Sequence, residues 1–189
     1  GMAIARRVGA GKKIVVGDNN PANASAIATI LQNAGFDAVA TELYLASRAS
    51  IKRMIAQAQQ MGDITMLVNA AGVSPSQAPI ETILKVDLYG TAVLLEEVGQ
   101  MIAPGGVGVT ISSQSGYRMP ALTAQQDEQL ATTPTEQLLE LEMLQPENIR
   151  DTLHAYQLAK RCTHQRDLAG DHRDPARDRR VQRSARRFL

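Results

Sequence analysis

The chain has no tryptophan, two phenylalanines and four tyrosines, so any core it builds is aliphatic. Its one cysteine, Cys162, excludes an internal disulfide, and no Cys/His cluster has zinc-ligand spacing, so no metal is expected. A catalytic thiol is not expected at Cys162 either. No apolar run reaches the ~18 residues that span a bilayer, and the first residues lack a signal-peptide pattern. The expectation is a cytoplasmic protein with no membrane partner.

An excess of either charge is lacking overall, since twenty Lys and Arg against nineteen Asp and Glu leave a net charge of +1. It is unevenly placed: residues 161–189 hold nine of the twenty Lys and Arg but four of the nineteen Asp and Glu. With aspartates interleaved and aromatics missing, this Arg-rich stretch, 162–189, is expected to be a solvated, disordered tail with no nucleic-acid partner. A nonspecific phosphate-binding arm is the alternative. Residues 1–161 are expected to form one domain, large enough for a layered core.

What is present is alternation. Over the first 116 residues helical and strand patterns follow each other, which argues for α/β layering around a parallel sheet. Ala3–Val8 reads as a helix, Lys13–Gly17 as a strand, and Asn20-Pro21 as a cap and first turn of a helix to about Asn33. Asp37–Leu45 reads as a strand. Ser47 or Ser50 caps a helix whose Ile51, Met54, Ile55 and Ala58 share a face, and Ile80–Ile102 reads as one long helix closed by Pro104-Gly105-Gly106.

Three motifs carry chemistry. Met66-Leu67-Val68-Asn69-Ala70-Ala71-Gly72 is an apolar strand breaking into a small-residue turn. Val107-Gly108-Val109-Thr110-Ile111-Ser112-Ser113 is a strand ending in hydroxyls. Tyr156 and Lys160 are four apart, which puts a phenol and an ammonium on one helical face, where the cation favours the phenolate. Such a pair alone also arises by chance.

In this order the motifs resemble the short-chain dehydrogenase/reductase family, over about residues 1–161. The resemblance implies a Rossmann-like, doubly wound, three-layer α/β fold. It implies hydride transfer between a nicotinamide cofactor and a carbonyl or alcohol, with Ser113, Tyr156 and Lys160 catalytic. Ser112 would be structural and Ser115 a secondary candidate. Gly1, Asp18, Asn69, Ala70, Ala71 and Gly72, with Tyr156 and Lys160, would bind the cofactor. Asp18 at a strand end would favour NAD over NADP, unless it only opens the Asp18-Asn19-Asn20-Pro21 turn. A small-molecule carbonyl or alcohol partner and a homo-oligomer are implied for the full-length family.

The chain also departs from the pattern. Gly1 and the helix after it match only the end of the family's Gly-rich phosphate loop, and no counterpart of the first central strand is found. That leaves two inner strand edges about 9–10 Å apart, to close together or go unpaired. The family's last strands have no counterpart in Thr163–Leu189, which a shifted reading frame near Cys162 would explain. Asp87 stands where the family usually has asparagine, and Tyr44 where it usually has an aspartate beside the adenine. Ser113 and Tyr156 are 43 positions apart, which implies a helical insert at 117–152. Thr133-Pro134-Thr135-Glu136 reads as its capping box, with Leu138, Leu139, Leu141 and Leu144 forming either a substrate lid or an ordinary buried face. The competing reading is an inactive remnant of the family that at most dimerises.

Overall fold

The computed structural model describes residues 1–166. Its elements follow the alternation of the sequence: α1 (Met2–Val8), β1 (Lys13–Asp18), α2 (Pro21–Asn33), β2 (Asp37–Glu42), α3 (Arg48–Met61) and β3 (Ile64–Asn69). They continue with α4 (Ile80–Ile83), a π-helical stretch (Leu84–Gly90), α5 (Thr91–Met101), β4 (Ile102–Thr110), α6 (Ala124–Thr132) and α7 (Thr152–Gln165), with short 3-10 turns between α6 and α7.

The strands pair as two separate parallel ribbons, β1 with β2 and β3 with β4. Of the two outcomes open for the inner edges, the second holds. Among the described residues no strand lies between the ribbons, so β1 and β3 each keep an edge without a strand partner. The architecture is α/β with parallel strands, an incomplete Rossmann-like fold. Strand alternation sets its layers. Ile14 and Val16 of β1 face Ala28 and Leu31 of α2, whereas a side chain at Gly17 would strike Leu43 and the Met54 sulfur of α3.

Local chemistry explains the helix starts. Asn20 accepts the Ala22 N–H at 3.0 Å with Pro21 in the first turn, and Ser47 accepts the Ser50 N–H at 3.3 Å. The other candidate cap, Ser50, instead accepts the Tyr44 N–H at 3.0 Å. Ile51 and Ile55 are buried with Leu67, Val93 and Val98 in an aliphatic core between α3, β3 and α5.

Four expectations are corrected. β2 stops at Glu42, because Leu43 and Leu45 turn down into the core. The long helix at 80–102 is interrupted by the π-helical stretch, where Gly90 lies so close to the Leu45 carbonyl that a Cβ would come within 2.6 Å of it. Pro104-Gly105-Gly106 does not precede a strand but bulges out of one. Ile102 pairs with Ile64, Gly105 takes φ +82°, and pairing resumes at Met66 with Val107.

The insert is corrected as well. Its capping box is Thr123 with Gln126, not Thr133 with Glu136, because Glu136 is drawn away to Arg48 at 2.6 Å. Leu138 and Leu144 are fully buried with Leu130, Leu88, Leu158 and Ala159. They form an ordinary buried face rather than a lid. The helix α7 runs past Arg161 to Gln165, and Arg166 donates to the Leu130 and Thr133 carbonyls at 2.9 and 2.5 Å. The rest of the Arg-rich stretch, and with it the expected disordered tail, lies outside the described residues.

Candidate active site

A cavity of about 240 Å³ opens where the carboxyl ends of β3 and β4 meet α7. Ala70, Ala71, Gly72, Tyr156 and Lys160 line it, so two motifs more than eighty positions apart converge on one space. In an open parallel sheet this is where a ligand crevice forms, because the strand ends leave room between diverging loops.

The turn after β3 is held by Asn69. Its side-chain oxygen accepts the Ala71 N–H at 3.3 Å and its amide donates to Thr91 Oγ1 of α5 at 3.5 Å. Asn69 is buried and braces strand to helix without lining the cavity. A glycine fits closely next, because a Cβ on Gly72 would come within 3.1 Å of Asp87 Oδ1 and crowd the carboxylate against Lys160.

Asp87 and Lys160 form a buried ion pair. Nζ stands 3.2 Å from Oδ2, and the two side chains are 0% and 7% exposed. Oδ1 accepts the Val73 N–H at 2.8 Å. Oδ2 accepts no hydrogen bond, because the ammonium approaches it at a contact distance but outside hydrogen-bond directions. The same ammonium lies 5.2 Å from the centroid of the half-buried Tyr156 ring. Helical spacing of four, read from the sequence, brings the two together, while the substitution of Asp87 for asparagine pins the ammonium from the opposite side.

The serines divide differently. Ser112, expected to be structural, lines the cavity, donating to the Lys160 carbonyl at 3.2 Å and lying 3.0 Å from His164 Nε2. Ser113 caps the short turn at Gln114–Tyr117, accepting the Ser115 N–H at 3.1 Å, and is not among the lining residues. Ser115 takes part through that N–H and through its carbonyl, which accepts the Arg118 N–H at 3.1 Å, and its hydroxyl does not line the cavity. Sequence reasoning missed His164 altogether, although its place one turn beyond Lys160 puts Tyr156, Lys160 and His164 in line along α7.

The remaining candidates lie outside the cavity. Gly1 packs near Ala70, where an added Cβ would sit 3.9 Å from the alanine methyl group. Asp18 Oδ1 accepts the Asn20 N–H at 2.8 Å, the local turn that was its alternative role. Tyr44 is half exposed. Cys162 is buried, and burial pushes its thiol up to about 11, which suits an inert core residue. Among the described residues no group of His, Cys, Asp and Glu could hold a metal, and no helix is long and apolar enough to cross a membrane.

The short chain dehydrogenase family profile matches residues 1–125. The chain belongs to the short-chain dehydrogenase/reductase family. It is similar, at 35% identity over 170 residues, to the short-chain dehydrogenase/reductase bsc3 of Alternaria brassicicola, with 87% of this chain and 60% of that protein covered. Among solved structures, the short-chain dehydrogenase/reductase from Serratia marcescens is 25% identical with a TM-score of 0.56, over 64% of this chain and 54% of that one. A Burkholderia phymatum short-chain dehydrogenase/reductase in complex with NAD has a TM-score of 0.62 at 15% identity, over 86% of this chain and 51% of that one, and shows the shared fold. The chain thus spans between half and two thirds of the length of these relatives. The family is one of oxidoreductases that use NAD or NADP.

The residues present fit one end of such a cofactor. Gly72 lines the cavity without a side chain, and Asp87 Oδ2 is a buried oxygen that accepts no hydrogen bond beside the lysine. A Gly-rich pyrophosphate cradle has no counterpart in the chain beyond Gly1.

Proposed function

We propose that the protein is an NAD(P)-dependent oxidoreductase that interconverts a carbonyl and an alcohol. The observation that supports it is the convergence of Tyr156, Lys160 and the Ala70-Ala71-Gly72 turn on one cavity. When bound, the nicotinamide supplies or receives the hydride. The chain's own residues do the rest. Tyr156, half-buried at the cavity wall, gives its phenolic proton to the substrate oxygen in reduction and takes it back in oxidation. Lys160 holds positive charge beside the ring, which stabilises a phenolate when the proton leaves. Ser113, the hydroxyl that the family resemblance assigns to orienting the substrate oxygen, stands next to Ser112, which lines the cavity, and would reach that oxygen from the cavity's edge. Accepting the Ser115 N–H leaves its own hydroxyl hydrogen free to donate.

Ala70, Ala71 and Gly72 let the cofactor approach the backbone, with Asn69 holding the turn and Gly1 beside it. A carboxylate at Asp18 disfavours a 2′-phosphate, so NAD is preferred to NADP. A small carbonyl or alcohol substrate, a homo-oligomer and a cytoplasmic setting belong to the same reading.

The test is NADH binding to the purified chain, followed by fluorescence and thermal unfolding, and then a carbonyl screen. Binding with a raised midpoint, and turnover that is lost in Tyr156→Phe while NADH binding persists, is the expected result. No binding at about millimolar NADH, with the chain folded, would reject the proposal and favour an inactive family remnant.

A further inference from the structure

Beside the Tyr156–Lys160 pair lies a second hydrogen-bonded pair, Ser112 and His164, and one tautomer of the imidazole satisfies all of its contacts. His164 Nε2 lies 3.0 Å from Ser112 Oγ and 3.3 Å from the Ser113 carbonyl oxygen. A carbonyl oxygen only accepts, so both contacts are hydrogen bonds in the tautomer that carries its hydrogen on Nε2 and shares it between the two oxygens. A ring nitrogen that carries its hydrogen cannot take one from Ser112. In that tautomer the pair is not a base and its nucleophile, despite its spacing.

The same logic fixes the serine. Ser112 Oγ receives from His164 and stands 3.2 Å from the Lys160 carbonyl, a second oxygen that only accepts. Its single hydrogen is drawn to that carbonyl, and what it turns to the cavity is a lone pair. Tyr117 keeps the imidazole in place, with ring centroids 4.6 Å apart and planes tilted by 49°. We propose that His164 is a positioning residue that makes Ser112 a hydrogen-bond acceptor in the cavity wall, so the site selects a ligand bearing a donor, an alcohol O–H, over the ketone of the same skeleton. This deepens the oxidoreductase reading by naming the favoured partner of the carbonyl/alcohol couple, and it rests on that reading only for the identity of the couple.

Two measurements on the chain without cofactor test it. In a histidine-labelled sample at about pH 8, where an ordinary imidazole is neutral, long-range proton–nitrogen correlations report which ring nitrogen of His164 is protonated, with His164→Phe providing the assignment. The Nε2–H form is expected. The same spectra then follow titration with 1-phenylethanol and with acetophenone. The alcohol is expected to bind about five-fold more tightly than the ketone, the scale of one neutral hydrogen bond, and Ser112→Ala is expected to bring the ratio to about one. An Nδ1–H tautomer, an alcohol that does not perturb the spectrum, or a wild-type ratio at or below one would overturn the proposal. So would a preference for the alcohol that survives in a folded Ser112→Ala chain. The wild-type affinity ratio does not depend on the variants folding. Neither measurement uses NADH or turnover, so the oxidoreductase reading can fail while this one stands, and the reverse.

Discussion

Lys160 Nζ and Asp87 Oδ2 are 3.2 Å apart in a place almost closed to water, and each is the other's only nearby opposite charge among the described ion pairs. Removing either partner leaves an uncompensated buried charge, which costs more than the pair itself contributes. Asp87→Ala is expected to lower the unfolding free energy by about 3–5 kcal/mol, and the double replacement Asp87→Leu with Lys160→Met by far less. Urea unfolding of the three chains checks this, and a double variant as unstable as the single one would contradict it.

Arg48 joins three elements. It donates to Glu96 at 2.9 Å and to Glu97, both on α5, and to Glu136 of the insert at 2.6 Å. Burial opposes its charge, but the hydrogen bonds to the three carboxylates outweigh burial and raise its pKa. Arg48→Met is expected to destabilise the chain and to speed amide exchange first in residues 135–140, which lose their tether to α3.

The same cluster sets a pH dependence. Burial pushes the Glu96 carboxyl up, yet hydrogen bonds from Arg48 and Thr135 pull it below its ordinary value of 4.5. A carboxyl depressed by folding stabilises fully above its unfolded value and loses that stabilisation as pH falls through the folded one. Thermal midpoints are therefore expected to be level above about pH 5 and to drop below about pH 4, with a shallower drop in Glu96→Gln. Equal slopes in the two chains would contradict the assignment.

Cys162 is 2% exposed, and burial holds its thiol near 11, so little thiolate exists at pH 8. Reaction with a disulfide reagent is expected to be slow in the folded chain and rapid in about 6 M urea. Fast labelling without denaturant would show that α7 does not hold the thiol as described.

Leu138 is completely buried beside Leu130 and Leu158, and no residue of the insert lines the cavity. Leu138→Ala is expected to cost about 2–5 kcal/mol of stability and to leave ligand affinity unchanged once the variant is folded. An altered affinity in the folded variant would restore the lid that the leucines suggested.

The sequence by itself determined the order of helices and strands, the Asn20 cap, the small-residue turn at Ala70–Gly72 and the shared face of Tyr156 and Lys160. Each of these rests on neighbours within about one or two turns of chain, where periodicity and capping act directly. Tertiary structure alone decided that the strands form two parallel pairs with free inner edges, because strand pairing depends on which edges meet. It alone brought Ser112 rather than Ser113 to the cavity, chose Ser47 over Ser50 as the cap, and buried the insert's leucines, while the Asp87–Lys160 pair, a possibility in the sequence, became a buried contact only on folding. A side chain's type is written in the sequence, but which partner it meets, and whether water is excluded there, is set by segments that are distant in the chain and adjacent only after folding.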